Sequence, residues 1–229
     1  MRAEQVSIGG IPAILYGDPA ERGYLFLHGQ MGRKEEAEAF ARAACPRRHQ
    51  VLSIDLPGHG VRQGRGEELA PWTAVPDIRA ALDWAERRWE SISLRAASIG
   101  AYFAMLAFAN PARALLLSPV LDMEGLILTM MNRAGVSEAQ LRERGEIADA
   151  LGQPLSWKYL CWVREHPVYR WACPVRILWG SGDNMTPREA VEAYARRQGV
   201  RLTVLEGGEH WFHTPEQLAA LKKWEETEC

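Results

Sequence analysis

No stretch of this 229-residue sequence approaches the roughly 20 consecutive apolar residues that a bilayer-spanning helix needs. Its first residues, Met1-Arg2-Ala3-Glu4-Gln5-Val6-Ser7, lack the continuous apolar core of a secretory signal, so a cytoplasmic protein with no membrane partner is expected. Cysteine is scarce. Cys45, Cys161, Cys173 and Cys229 show neither C-x-x-C spacing nor a nearby histidine cluster, which leaves no recognisable zinc or redox-pair motif and suits a reducing compartment. Excess positive charge is missing too: the formal net charge is −2, and the pairs Arg47-Arg48 and Arg196-Arg197 read as solvated helix faces. A nucleic-acid partner is therefore not expected. No cluster of Arg or Lys would demand a phosphate or a coenzyme A diphosphate, and no repeat or low-complexity tract interrupts the chain.

What is present is the composition of an ordinary globule, 47% hydrophobic and 24% charged, long enough for one α/β domain with a small insertion. Val6–Ile8 and Ile11–Tyr16, joined by Gly9-Gly10, predict an opening hairpin at a sheet edge. Apolar strand-like runs follow at Tyr24–Leu27, Gln50–Ile54, Ser91–Leu94, Ala114–Leu117, Val175–Trp179 and Leu202–Leu205. Helical patterns alternate with them over 34–44, Asp77–Trp89, Ala101–Phe108, 187–198 and 215–227. This alternation predicts an α/β fold, a mostly parallel twisted sheet with helices on both faces, built from 1–121 and 171–229. Residues 122–170 break the rhythm with helix-like stretches at Gly125–Ala134 and Ser156–Glu165, and are expected to form a small helical cap insertion.

The chain is organised around Arg95-Ala96-Ala97-Ser98-Ile99-Gly100-Ala101-Tyr102. A serine here sits on a sharp turn from strand to helix. Small residues at 96, 97 and 100 let the backbone pass close to its neighbours, and the unpaired N–H groups of a helix start favour developing negative charge. Read alone, Ser98 is equally well an N-cap after a strand. Two further strand ends alter the balance. Gly180-Ser181-Gly182-Asp183 supplies a carboxylate after a buried strand, and Gly207-Gly208-Glu209-His210 supplies an imidazole after the last one. Acyl transfer by serine requires such a base, an acid to orient it, and N–H donors for the oxyanion. His213 is the alternative base and Asp122 the alternative acid, with helix capping as the plainer role of Asp122; Ser118 and Ser181 read as turn residues.

The order Ser98, Asp183, His210 resembles the α/β-hydrolase superfamily, as do His28-Gly29, the Asp55-Leu56-Pro57-Gly58-His59-Gly60 loop and the elbow. The similarity spans nearly the whole chain, and departs from the G-x-S-x-G pattern at Ala96, where a strained but intact turn is expected. The resemblance implies an oxyanion hole formed by the backbone N–H groups of Gln30 and Ile99, a structural role for His28, and a bracing role for His59. It implies no metal and no cofactor. Met31, Trp211, Met123 and Ile127 are candidate substrate contacts, although each is equally read as packing; Phe212 stands with them at the pocket border. The expected activity is that of a serine hydrolase on a small carboxylic ester or thioester. Carbon–carbon bond hydrolysis or a lyase step on the same residues, and a low-turnover binding scaffold, are the alternatives.

Overall fold

Strands covered on both faces cannot alternate polar and apolar residues, and the central strands here do not. In the computed structural model, which describes residues 1–148, 154–168 and 170–229, the strand Arg22–Leu27 (β3) is buried at all but its first position, and Ala114–Leu117 (β6) throughout. The other strands of the main sheet are Ala3–Ile8 (β1), Ile11–Tyr16 (β2), His49–Ile54 (β4), Ser91–Ala97 (β5), Val175–Gly180 (β9) and Arg201–Leu205 (β10). Among the described residues they form an eight-stranded sheet in the order β1-β2-β4-β3-β5-β6-β9-β10. The β1–β2 and β2–β4 pairs are antiparallel and all others parallel, so the opening hairpin occupies one edge, as expected from Gly9-Gly10. Mostly exposed, β1 ends the sheet with alternating, polar residues.

Helices cover both faces. Ala37–Ala44 (α1) and Pro215–Glu228 (α8) pack with Tyr24, Phe26 and Val51 on one side. Pro71–Glu86 (α2), Ser98–Ala107 (α3) and Arg188–Gln198 (α7) pack with Leu25, Leu27 and Leu94 on the other. Successive side chains of a strand point to opposite faces, which is why Tyr24 and Leu25 belong to different cores. On the face that α8 covers, Arg95 of β5 points to that helix, where its Nε and Nη2 donate to Glu225 Oε1 at 2.9 and 2.7 Å. Both groups are buried, and each supplies the other's missing counter-charge.

Three elements depart from the sequence reading. The helix expected at Asp77–Trp89 begins at Pro71: that proline occupies the first turn, where its missing N–H is unused, and Pro76 lies on the exposed face. β5 runs on to Ala97 and α3 starts at Ser98, so no loop separates strand from helix. The chain between β6 and β9 holds more than two helices. Met123–Arg133 (α4) and Trp157–Glu165 (α6) flank a short helix, Glu138–Arg144 (α5), and a separate two-stranded ribbon, Glu146–Ala148 (β7) with Pro154–Ser156 (β8). Ser137 caps α5 with Gln140, a capping box visible in the sequence pattern. Residues 149–153 and 169 of the expected insertion lie outside the described residues. Among the described residues no helix is long and apolar enough to cross a membrane.

Candidate active site

Ser98 adopts φ +49°, a left-handed conformation that costs a non-glycine residue about 1–3 kcal/mol and is held only by its surroundings. Those surroundings are tight. A Cβ on Gly100 would lie 2.3 Å from the His28 carbonyl oxygen, and one on Gly29 would lie 3.2 Å from Ser98 Cβ. The elbow and the His28-Gly29 turn are therefore pressed together, and glycine at 100 is a steric requirement. Ala96 is fully buried in β5, paired with Leu27 on one side and Leu116 on the other. Its methyl group belongs to an ordinary strand; the strain expected from it resides at Ser98 instead.

Ser98 Oγ lies 2.8 Å from His210 Nε2, and His210 Nδ1 lies 2.8 Å from Asp183 Oδ2. A carboxylate only accepts, so Nδ1 carries the proton and Nε2 presents its lone pair to the serine hydroxyl. The Asp183 carboxylate is shut from solvent, and its Oδ1 accepts from the N–H groups of Met185 at 2.8 Å and Thr186 at 2.9 Å. Thr186 is anchored in turn: its hydroxyl donates to the Pro119 carbonyl at 2.9 Å, and its carbonyl accepts from Trp179 Nε1 at 3.1 Å. The acid turn and the base turn also touch directly. Gly182 N–H donates to the Gly208 carbonyl at 2.7 Å and Gly207 N–H to Ser181 Oγ at 2.8 Å, while a Cβ on Gly180 would meet Gly208 O at 2.3 Å.

Ile99 stands in the first turn of α3, whose early N–H groups have no helical acceptor. The Gln30 N–H finds no protein acceptor among the described residues. Both residues line the space beside Ser98. The turn carrying Gln30 is braced from behind by buried polar groups. His28, fully buried, accepts the Leu56 N–H at Nε2 (3.1 Å) and holds Nδ1 2.8 Å from the Gly29 carbonyl, so it is a neutral Nδ1–H tautomer. Burial lowers its pKa to about 4. Asp55, also fully buried, accepts from the Lys34 N–H at 2.8 Å, Lys34 Nζ at 2.9 Å and the Val61 N–H at 3.1 Å. Gly60 leaves the room this needs, since a Cβ there would lie 2.1 Å from Asp55 Oδ1. His59 holds Nδ1 2.8 Å from the Pro57 carbonyl, and its ring centroid lies 5.4 Å from that of His28.

The remaining candidates separate. Asp122 caps α4, accepting from the Gly125 N–H at 2.9 Å, while the carboxylate hydrogen-bonded to His210 is that of Asp183. His213 is half exposed with Nδ1 2.8 Å from the Trp211 carbonyl. Met123 and Ile127 line a cavity of about 380 Å³ beside Ser98, whereas Met31 (83% exposed) and Trp211 (70% exposed) do not. Phe212 is buried in the cluster that includes Trp224 of α8. Ser118 is a buried turn residue at φ +41° whose N–H donates to Leu178 O. Sequence reasoning passed over Leu69, Val120 and Leu155 in the cavity wall, because their convergence depends on how β8, the loop after β6 and the loop before α2 meet. Among the described residues its ionisable lining residues besides tyrosine are Glu68 and Glu146, with no Lys or Arg. Among the described residues no three His, Cys, Asp or Glu side chains group as metal ligands would.

This chain belongs to the alpha/beta hydrolase family, whose model matches residues 24–221. None of the curated proteins matches its sequence. Solved structures of the same fold include Est1E from Butyrivibrio proteoclasticus with ferulic acid bound: 21% identity, TM-score 0.78, covering 98% of this chain and 97% of that one. Alpha/beta hydrolase domain-containing protein 10 from mouse is 16% identical, with TM-score 0.73 and coverage of 98% and 96%. The thioesterase domain from the curacin biosynthetic pathway is 16% identical, with TM-score 0.59 and coverage of 98% and 99%. The eight-stranded, mostly parallel sheet is thus the family's fold, shared with Est1E and with a thioesterase domain.

Proposed function

We propose that the protein is a serine hydrolase that cleaves a small carboxylic ester or thioester through an acyl-enzyme on Ser98. The observation that carries this is the continuous relay from Ser98 to His210 to Asp183, 2.8 Å at each step, opening on a largely apolar cavity. His210 takes the hydroxyl proton as Ser98 attacks the carbonyl, and Asp183 orients the ring and stabilises the imidazolium. The N–H groups of Gln30 and Ile99 receive the oxyanion. His210 then protonates the departing alcohol or thiol, and water, deprotonated by the same ring, releases the acid. Metal and cofactor have no step to perform in this sequence.

In this reading the segment 122–170 is a cap: Met123, Leu126, Ile127, Met130, Leu155 and Tyr159 close an acyl pocket over the nucleophile. A mainly apolar lining, without cations among the described residues, suits an uncharged acyl group in place of an anionic one. The four cysteines are unpaired, which supports a reducing, cytoplasmic setting. Short-chain p-nitrophenyl esters test the activity directly. Hydrolysis by the wild type, together with stoichiometric labelling of Ser98 by a fluorophosphonate that Ser98→Ala abolishes, is the expected result. Equal rates for the two proteins would overturn it.

A further inference from the structure

We infer that Thr186 is a positioning residue for the relay: its hydroxyl ties the acid turn to the turn after β6 and so sets the Asp183 carboxylate in place relative to the nucleophile. The inference rests on the serine-hydrolase reading of Ser98.

The turn after β6, Ser118-Pro119-Val120, is bonded to both ends of the relay. The Val120 N–H donates to the Ser98 carbonyl at 3.2 Å, which fastens the turn to the nucleophile's own backbone. The neighbouring Pro119 carbonyl accepts the Thr186 hydroxyl at 2.9 Å, and the Thr186 N–H donates to Asp183 Oδ1 at 2.9 Å. Nucleophile and acid are thus joined by a second path that does not pass through His210. The turn in its middle is fixed: Ser118 is buried at φ +41°, with its N–H held by Leu178 O at 2.9 Å.

Thr186 itself has little freedom. It is buried, and its carbonyl accepts from Trp179 Nε1 at 3.1 Å. Turning the hydroxyl away would leave both it and the Pro119 carbonyl without water and without a partner. The two oxygens of Asp183 divide their work: Oδ2 lies 2.8 Å from His210 Nδ1, and Oδ1 takes the Met185 and Thr186 N–H groups. A shift of the 185–186 backbone therefore rotates the carboxylate and misdirects Oδ2. Thr186 is not among the residues lining the cavity, so its influence on the reaction runs through the relay.

Threonine carries a hydroxyl and a methyl on one carbon, and two variants separate them. Thr186→Val keeps the volume and loses the bond; Thr186→Ser keeps the bond and loses the methyl. With p-nitrophenyl butyrate, Thr186→Val is expected to lose about tenfold in kcat, the upper range for one hydrogen bond, while Thr186→Ser stays within about twofold of wild type. KM is expected to hold in both, because the same relay serves acylation and deacylation and the two steps slow together. Melting temperature should fall in both, since one variant leaves the Pro119 carbonyl unpaired and the other a methyl-sized void. The His210 Nδ1–H resonance, identified by its absence from His210→Gln, is expected to move upfield in Thr186→Val and to hold in Thr186→Ser.

Wild-type kcat in Thr186→Val would overturn the proposal, as would an equal loss in Thr186→Ser, which would assign the effect to packing. A change confined to KM would overturn it too. Should Thr186→Val not fold, Thr186→Ala against Thr186→Ser isolates the same hydroxyl. Failure of the folded wild type to cleave any ester would remove the hydrolase reading, and the Nδ1–H resonance would still decide the positioning: an unchanged signal in Thr186→Val overturns it.

Discussion

The acid and base turns near Ser98 are tied to one another through the backbone, whereas the helices α4, α5 and α6 are tied to one another through side chains. At the strand ends, Gly182 N–H reaches Gly208 O, Ser181 N–H reaches Leu205 O, and Met185 and Thr186 N–H groups clamp Asp183. In the segment opposite, Arg164 of α6 joins Glu124 of α4 at 2.6 Å and Glu138 of α5 at 2.7 and 2.9 Å, in exposed ion pairs. Exposed pairs contribute little, so the segment is held mainly by the buried side chains of Met123, Ile127, Leu141 and Leu160. Backbone ties survive most substitutions and side-chain ties do not. On the proposed reading, the part that would perform chemistry is thus insulated from sequence change, and the part that would select substrate is open to it.

Substitutions at the two regions should differ accordingly. The largest effect belongs to Ser98→Ala, with an expected loss of about 10⁴-fold or more in kcat for ester hydrolysis at unchanged fold, read by steady-state kinetics beside circular dichroism. Next stands Gly180→Ala. The added methyl meets only backbone at Gly208 and Glu209, so the acid and base turns must part. We expect kcat/KM to fall by about 100-fold and stability by about 1–3 kcal/mol. Wild-type activity in that variant would break the claim that these turns are rigidly coupled.

The pH dependence of stability probes the brace behind the Gln30 turn. His28 has its pKa lowered in the folded state from an ordinary 6.5 to about 4, so the unfolded chain binds the proton more readily. Its contribution to stability is complete above pH 6.5 and is lost as pH falls toward 4, by about 3 kcal/mol. Urea melts across this window should show the decline, and a ring titration followed by NMR should leave His28 neutral until near pH 4. A titration of His28 near pH 6.5 would contradict its buried, neutral bracing role.

Smaller effects are expected in the segment opposite. Leu126→Ala enlarges the cavity wall at a partly buried position, and should move the preferred acyl length toward longer chains with about a tenfold change in relative kcat/KM. Arg164→Ala, which removes both exposed ion pairs, should leave the melting temperature essentially unchanged. A large loss of stability there would show that the surface pairs, and not the buried residues, hold α4 to α6.

Much of this was legible from local chemistry. The buried runs at Tyr24–Leu27 and Ala114–Leu117 could only be covered strands, and Ser98, Asp183 and His210 each follow a strand at a glycine-bearing turn. Helix starts were less legible. Pro76 concealed the first turn of α2, because a proline inside a helical pattern removes an N–H and reads as a boundary, although here it stands within the helix on its exposed face. The cavity wall was read in part: Met123 and Ile127 lie in it, and Met31 and Trp211 do not. Nothing in an apolar residue's local sequence says which neighbour it will meet.

Sequence alone determined the alternation of strands and helices and the residue types at the strand ends, since periodicity, glycine and chain order are local or one-dimensional properties. Only the tertiary structure decided that the Asp55 carboxylate receives both Lys34 and Val61, that Arg95 finds Glu225 on the face covered by α8, and that the buried Tyr159 hydroxyl is left without a partner among the described residues. Each of these depends on distances between segments far apart in the chain, which are set by packing all the elements at once.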